Sequence, residues 1–168
     1  MDARAAGRIV AVCLSPSGGV PKHSQESIFI GHQGVEGDYH SGPINRHKKT
    51  GAPEPNSRQV TLVAQEVLEE LNVSLSIELK PGDLGENILV VGLGDLSQLQ
   101  KGDRLNVGAD VILEISAQNN PCDVIRLYHP TLVEEITGKR GVSATVVATG
   151  VLRPGDACGF LVDASGTN

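Results

Sequence analysis

Cys122 is the side chain best placed for chemistry. It lies in Ser116–Tyr128, Ser-Ala-Gln-Asn-Asn-Pro-Cys-Asp-Val-Ile-Arg-Leu-Tyr, directly after an alternating strand pattern at Val111–Ile115. Asn120 suits a helix N-cap, Pro121 the first helical position and Asp123 the first turn. Val124, Ile125 and Leu127 supply the apolar residues of a short helix, and Pro130 ends it by disfavouring helical backbone at His129. The pattern predicts Cys122 in the first turn, where unpaired amides and the positive end of the dipole favour a thiolate. Thiolate is the form that attacks, carries sulfur or binds a metal. The competing reading is a small buried hydrophobe, with Asp123 opposing ionisation. Cys13, in an apolar strand, and Cys158, after a turn, read as packing.

Three other clusters hold chemistry-bearing residues. In Gly34-Val-Glu-Gly-Asp-Tyr-His40, an extended backbone places the Asp38 carboxylate and the His40 imidazole on one side; alternatively, Asp38 closes a turn on its own backbone. Arg46-His-Lys-Lys49, with Arg58, forms a local cationic patch suited to phosphate, which arginine grips bidentately. The alternative is a solvated loop, the reading favoured for Lys48 and Lys49. In Gly82-Asp-Leu-Gly-Glu-Asn-Ile88 the glycines permit close backbone approach, and Glu86-Asn87 opens a strand. Asn87 both donates and accepts, as a heteroaromatic ligand requires, or else it caps a turn. His32, His40 and His47 do not have the spacing of a zinc site.

The elements that must position these residues are mostly short strands. Gly7–Leu14, Ser27–Ile30, Arg58–Val63, Asn87–Val91 and Ala157–Val162 read as strands, with a hairpin joining Arg104–Val107 to Val111–Ile115. Val142–Val151 reads as one long alternating strand. Ala64–Leu71 has helical periodicity, and Thr131-Leu-Val-Glu134 is a capping-box pattern opening a second short helix. Ser41–Ser57 is a long, proline-broken polar loop, expected to be mobile until a ligand orders it. The tail Asp163–Asn168 is expected to be loose. With 20 Gly and 9 Pro marking many turns, the fold class predicted is mainly β, a barrel with a few short helices. The 168 residues suit a single domain, 1–168, with its core at about 7–162.

Composition narrows the partners. A formal charge of −6 and 2% aromatic residues argue against nucleic-acid binding. No apolar run is long enough to span a membrane, and the N-terminus has no signal-peptide pattern. Three widely spaced cysteines without a CxxC fit a reducing compartment. Together these predict a cytoplasmic protein.

In family order, Gly34–His40, Arg58-Gln-Val-Thr-Leu62, Gly82–Ile88, Gly102-Asp103, Pro121-Cys122 and Gly150–Asp156 resemble the MOSC domain, the C-terminal domain of molybdenum cofactor sulfurases, which also occurs alone in small bacterial proteins. The pairing of Gly-Glu-Asn-Ile with a later Pro-Cys is the specific part. The resemblance implies a β-barrel, an essential cysteine at Cys122, and binding of the molybdopterin form of the molybdenum cofactor. Cys122 would carry sulfur as a persulfide or ligate molybdenum. Arg58 would take the phosphate and Asn87 the pterin, with Glu86, His40, Asp38 and Arg46 around them. Asn119-Asn120 stand where the family often has a basic residue. No pyridoxal phosphate site is expected. Sulfur or electrons would therefore come from a separate cysteine desulfurase or electron-transfer flavoprotein. The roles implied are sulfur transfer, non-catalytic cofactor carriage, or molybdenum-dependent reduction of N-hydroxylated compounds.

Overall fold

A computed structural model describes residues 4–162. Seven strands close a barrel: β1 (Arg4–Leu14), β5 (Val60–Ala64), β6 (Ile88–Val91), β7 (Arg104–Val107), β8 (Val111–Gln118), β9 (Val142–Ala148) and β11 (Ala157–Leu161). Around the barrel the order is β11-β7-β8-β9-β5-β6-β1, and β1 pairs back onto β11. A short β2 (His23–Gln25) pairs antiparallel beside the end of β1, while β3 (Ile28–Gly31), β4 (Gly34–Val35) and β10 (Gly150–Leu152) form a small separate sheet.

β5 and β6 are the parallel pair, so a crossover must join them. Helix α1 (Gln65–Leu75) supplies it. Val67, Leu68 and Leu71 are its buried face, and the left-handed Ser76 ends it with an amide bonded to the Asn72 carbonyl. The tight approach of chains here demands glycine. At Gly141, φ is +91° and a Cβ would lie 2.0 Å from the Leu62 carbonyl oxygen. The barrel is filled by Ile9, Leu62, Ile88, Leu105, Leu113 and Ile115 among others, all essentially inaccessible.

Four sequence expectations change. Val142–Val151 is not one strand: β9 stays in the barrel and β10 pairs with β3 in the small sheet. The alternation of residue types runs on across the break, so periodicity could not show it. The helix after Cys122 is a five-residue 3-10 turn, Asp123–Leu127, with Cys122 itself as the extended cap residue. The Asn119 amide is bonded to the Gly141 carbonyl at 2.9 Å, which keeps the chain extended and delays the helix. The helix N-terminus expected around Cys122 is therefore reduced to one 3-10 turn, which carries little dipole. The capping box at Thr131 does not form before α2 (Leu132–Ile136); Glu134 instead pairs with Arg126 at 2.7 Å. The loop Ser41–Ser57 holds its own ladder. Ile44 bridges Pro55, the Asn45 amide reaches Glu54, and Asn56 Nδ2 donates to the carbonyls of His40 and Gly42 at 2.8 and 2.9 Å. The tail Asp163–Asn168 lies outside the described residues.

Candidate functional site

The turn after β4 brings Asp38 inward. Its carboxylate accepts from the Ser15 amide at 3.0 Å, the His40 amide at 3.1 Å and Lys22 Nζ at 2.8 Å. Lys22 and Asp38 are both buried, with side chains 2% and 0% exposed, so this is an interior ion pair with further hydrogen bonds to the carboxylate. Burial holds the Lys22 ammonium below its ordinary value, against the pull of Asp38. Lys22 Nζ also lies 3.4 Å from His40 Nδ1. The His40 ring stacks on His47 with centroids 4.1 Å apart and planes 4° from parallel, and Tyr39 meets it edge-on. Arg46 and Lys49 sit over the Tyr39 ring at 4.8 and 5.6 Å. Burial, then the Lys22 charge, pushes His40 down to about 4. Desolvation of its stacked face and nearby Arg58 hold His47 at about 3, although His47 as a whole is exposed. Both imidazoles are neutral at physiological pH.

Arg58, just before β5, and Arg140, just before β9, add two more cations. Arg58 donates through Nη2 to Asn119 Oδ1 at 3.1 Å and through Nε to Ser143 Oγ at 3.3 Å. Arg140 donates to the Leu84 carbonyl, while its buried Nε has no partner among the described residues. Burial lowers both guanidinium groups; Cys122 opposes this at Arg58, and Glu86, then Cys122, oppose it at Arg140. Cys122 is exposed, unlike Cys13 and Cys158. Cys122 and the cations Lys22, Arg46, Lys49, Arg58 and Arg140 line a cavity of about 450 Å³ together with Tyr39, His40, His47 and Asn119, and small or apolar residues of neighbouring turns complete it. Its lining contains no carboxylate. Among the described residues, Arg46, Lys49, Arg58 and Arg140 pair with none.

Of the residues singled out in the sequence, the structure brings Cys122, Arg58, His40 and Arg46 to this cavity. Asp38, Glu86 and Asn87 are buried outside its lining. Asn87 is a clamp: Oδ1 accepts from the Thr61 amide at 3.2 Å and Nδ2 donates to the Cys13 carbonyl at 3.1 Å, tying β5 to β1 at the start of β6. Its amide functions are thus committed to the barrel, which corrects the expectation that it faces a pterin. Glu86 is fully buried, its oxygens have no well-formed hydrogen bond among the described residues, and burial pushes its carboxyl up to about 7, against the weaker pull of nearby backbone amides and the Arg140 charge. Asp38 touches the cavity-lining residues Lys22 and His40. Sequence reasoning missed Lys22 and Arg140, lone cations in glycine- and proline-marked turns with no periodic relation to Cys122. It also read Asn119 only as the lack of a base; here Asn119 holds Arg58, and Arg140 brings a cation from another turn. Among the described residues no cluster of three or more His, Cys, Asp and Glu side chains could hold a metal ion.

The profile of the MOSC domain matches residues 36–158. The chain is 29% identical over 152 residues to YuaD of Bacillus subtilis (strain 168), covering 78% of each chain; that protein is named as a candidate in metal-sulfur cluster biosynthesis. The YuaD crystal structure superposes with a TM-score of 0.80 at 22% identity, over 94% of this chain and 97% of that one. YiiM from Geobacillus stearothermophilus follows at 0.71 and 21%, over 95% and 77%. YiiM from Escherichia coli gives 0.65 and 18%, over 96% and 73%. These likenesses establish the fold as a barrel shared with these proteins.

Proposed function

The chain belongs to the MOSC domain family, and from that premise we propose that its cavity binds the molybdenum cofactor in the molybdopterin form, with Cys122 as its sulfur centre. The observation that carries this reading is an exposed thiol in a carboxylate-free cavity that also holds four cations unpaired with any carboxylate. In a protein of net charge −6, such a concentration of positive charge calls for an anionic ligand. The residues fit the group. Arg58 is held by Asn119 and Ser143, and among the described residues its Nη1 and the Arg140 Nε have no hydrogen-bond partner. Both suit a phosphate. A thiolate at Cys122 is the soft ligand that molybdenum accepts. When bound, the cofactor would supply the metal and the dithiolene sulfur chemistry.

The protein's own part is to bind and shield. Arg58 and Arg140 would hold the phosphate, and Arg46 and Lys49 would draw the anion in from the loop. Cys122 has two uses that share this geometry. As a sulfur carrier, its thiolate attacks the outer sulfur of a donor persulfide on a cysteine desulfurase; the new S–S bond forms as the donor thiolate leaves. As a metal ligand, it fixes the cofactor for reduction of a substrate, with electrons from a separate flavoprotein. Expression with molybdate followed by molybdenum and pterin analysis of the purified protein tests the proposal. We expect both in a ratio near one per chain, and loss of retention in Arg58→Ala. Neither molybdenum nor pterin in the wild type would overturn it. No helix of the described residues is long and apolar enough to cross a membrane.

A further inference from the structure

Asp38 and Lys22 do more than fill the interior, because their geometry dictates where the His40 proton sits. The Lys22 ammonium has only donors. One N–H reaches Asp38 Oδ2 at 2.8 Å, and the nitrogen lies 3.4 Å from His40 Nδ1. A ring nitrogen facing an ammonium must present its lone pair. In a neutral imidazole the proton then belongs to Nε2. The rival arrangement puts a proton on Nδ1, directed at Asp38 Oδ2 3.8 Å away. That contact is too long for a hydrogen bond, and the same oxygen already accepts from Lys22 and from the His40 amide. A doubly protonated ring fares worse. It would stand near Lys22, Arg58 and Lys49 with Asp38 as its one opposing charge, beside neutral His47.

Two further features direct the proton outward. Stacking on His47 restrains the ring plane. Nε2 has no hydrogen-bond partner among the described residues, while His40 lines the cavity. Asp38 is anchored by the Ser15 amide, so the chain from carboxylate to ammonium to imidazole starts from a fixed point.

We propose that Asp38 and Lys22 hold His40 as its Nε2–H tautomer, so that Nε2–H donates a hydrogen bond to an oxygen of an oxyanion bound in the cavity. His40 is then a ligand-binding donor, and Lys22 and Asp38 are positioning residues. The ligand class is a phosphate, phosphate ester or oxometalate. The inference rests on the cavity being an anion site and not on which cofactor fills it. Because the ring stays neutral, it donates without adding charge, and the surrounding guanidinium groups set the attraction.

Histidine side-chain nitrogen NMR, with inorganic phosphate as the probe, tests this. In the wild type, His40 should show the Nε2–H pattern and remain neutral through the physiological range. The double variant Lys22→Met/Asp38→Asn removes both charges without leaving either alone in the interior. There the tautomer should become mixed, while burial continues to hold the ring neutral. Phosphate should move the His40 Nε2 resonance. His40→Gln, whose amide nitrogen takes the place of Nε2, should retain most phosphate affinity; His40→Asn, whose amide nitrogen takes the place of Nδ1, should lose about tenfold. An Nδ1–H pattern in the wild type, an unaltered tautomer in the double variant, or equal phosphate affinity in the two His40 variants would overturn the proposal. Intact phosphate binding without molybdenum retention would strike only the cofactor reading; retained molybdenum with the wrong tautomer would strike only this one.

Discussion

At the scale of residues, the three cysteines differ by environment. Burial pushes Cys13 and Cys158 up to about 11, so at neutral pH both are protonated packing groups. Cys122 is exposed and lines the cavity near Arg58 and Arg140. Replacing Cys122 by Ser should abolish persulfide loading and molybdenum retention, whereas Cys13→Ala and Cys158→Ala should keep both. Mass spectrometry after incubation with a cysteine desulfurase and cysteine reads the first effect directly; loading lost equally in all three would reject the assignment. Arg58 belongs to the same scale. A hydrogen bond to a charged group contributes roughly 1.5–3 kcal/mol, so Arg58→Ala should weaken cofactor binding about 10- to 100-fold. Arg58→Lys should recover part of this, since an ammonium lacks the planar fork. Undiminished retention in Arg58→Ala would remove it from the site.

Elements place these residues, and Asn87 shows how. It satisfies the Thr61 amide and the Cys13 carbonyl, joining strands distant in sequence. Truncating it leaves buried backbone groups unpaired, at about 1–3 kcal/mol each. Asn87→Ala should therefore lower the urea midpoint clearly while leaving cofactor affinity, measured on the folded fraction, nearly unchanged. The reverse pattern would return Asn87 to the site. The Ser41–Ser57 loop is the second case. Its internal ladder through Asn45 and Asn56 holds the backbone, but the Arg46 and Lys49 side chains are exposed and free of carboxylate partners. Ligand binding should increase hydrogen-exchange protection at Arg46–Lys49 and leave the Asn45 and Asn56 amides, already laddered, much as they were. Identical exchange in both states would make the loop a bystander.

For the whole molecule, buried ionisable groups tie folding to pH. Glu86 is ordinarily ionised above about 4.5 but in the fold keeps its proton up to about 7. Between those values the folded state binds a proton that the unfolded state has lost, so this group lowers stability as pH rises and its full penalty is present above 7. At about 1.4 kcal/mol per unit the penalty is on the order of 3 kcal/mol. His40 and His47 act oppositely. Their folded values lie below the ordinary 6.5, so the unfolded state takes up protons first and stability falls as pH drops below that value. Glu86→Gln should accordingly gain stability over the wild type as pH is raised from 5 to 8. Urea unfolding at each pH measures it, and a pH-independent difference would show that Glu86 does not titrate in this range.

The barrel was legible in the sequence because its signals are local: short alternating or continuous apolar runs, glycine-marked turns, and the helical spacing of Val67, Leu68 and Leu71. Cys122, Arg58 and His40 were legible as candidates because their residue types limit what they can do. What no local pattern carries is direction. Asn87 and Arg58 both adjoin strand starts, yet one side chain turns into the barrel wall and the other toward the cavity, a choice made by pairings between β1, β5, β6 and β9. Lys22 and Arg140 became part of the site only when the closing of the sheet brought their turns beside Cys122. The break between β9 and β10 was likewise decided by which sheet each half could pair with. Element type follows from short-range sterics and periodicity, whereas the set of groups sharing one cavity follows from long-range hydrogen-bond registers, and those exist only in the closed barrel.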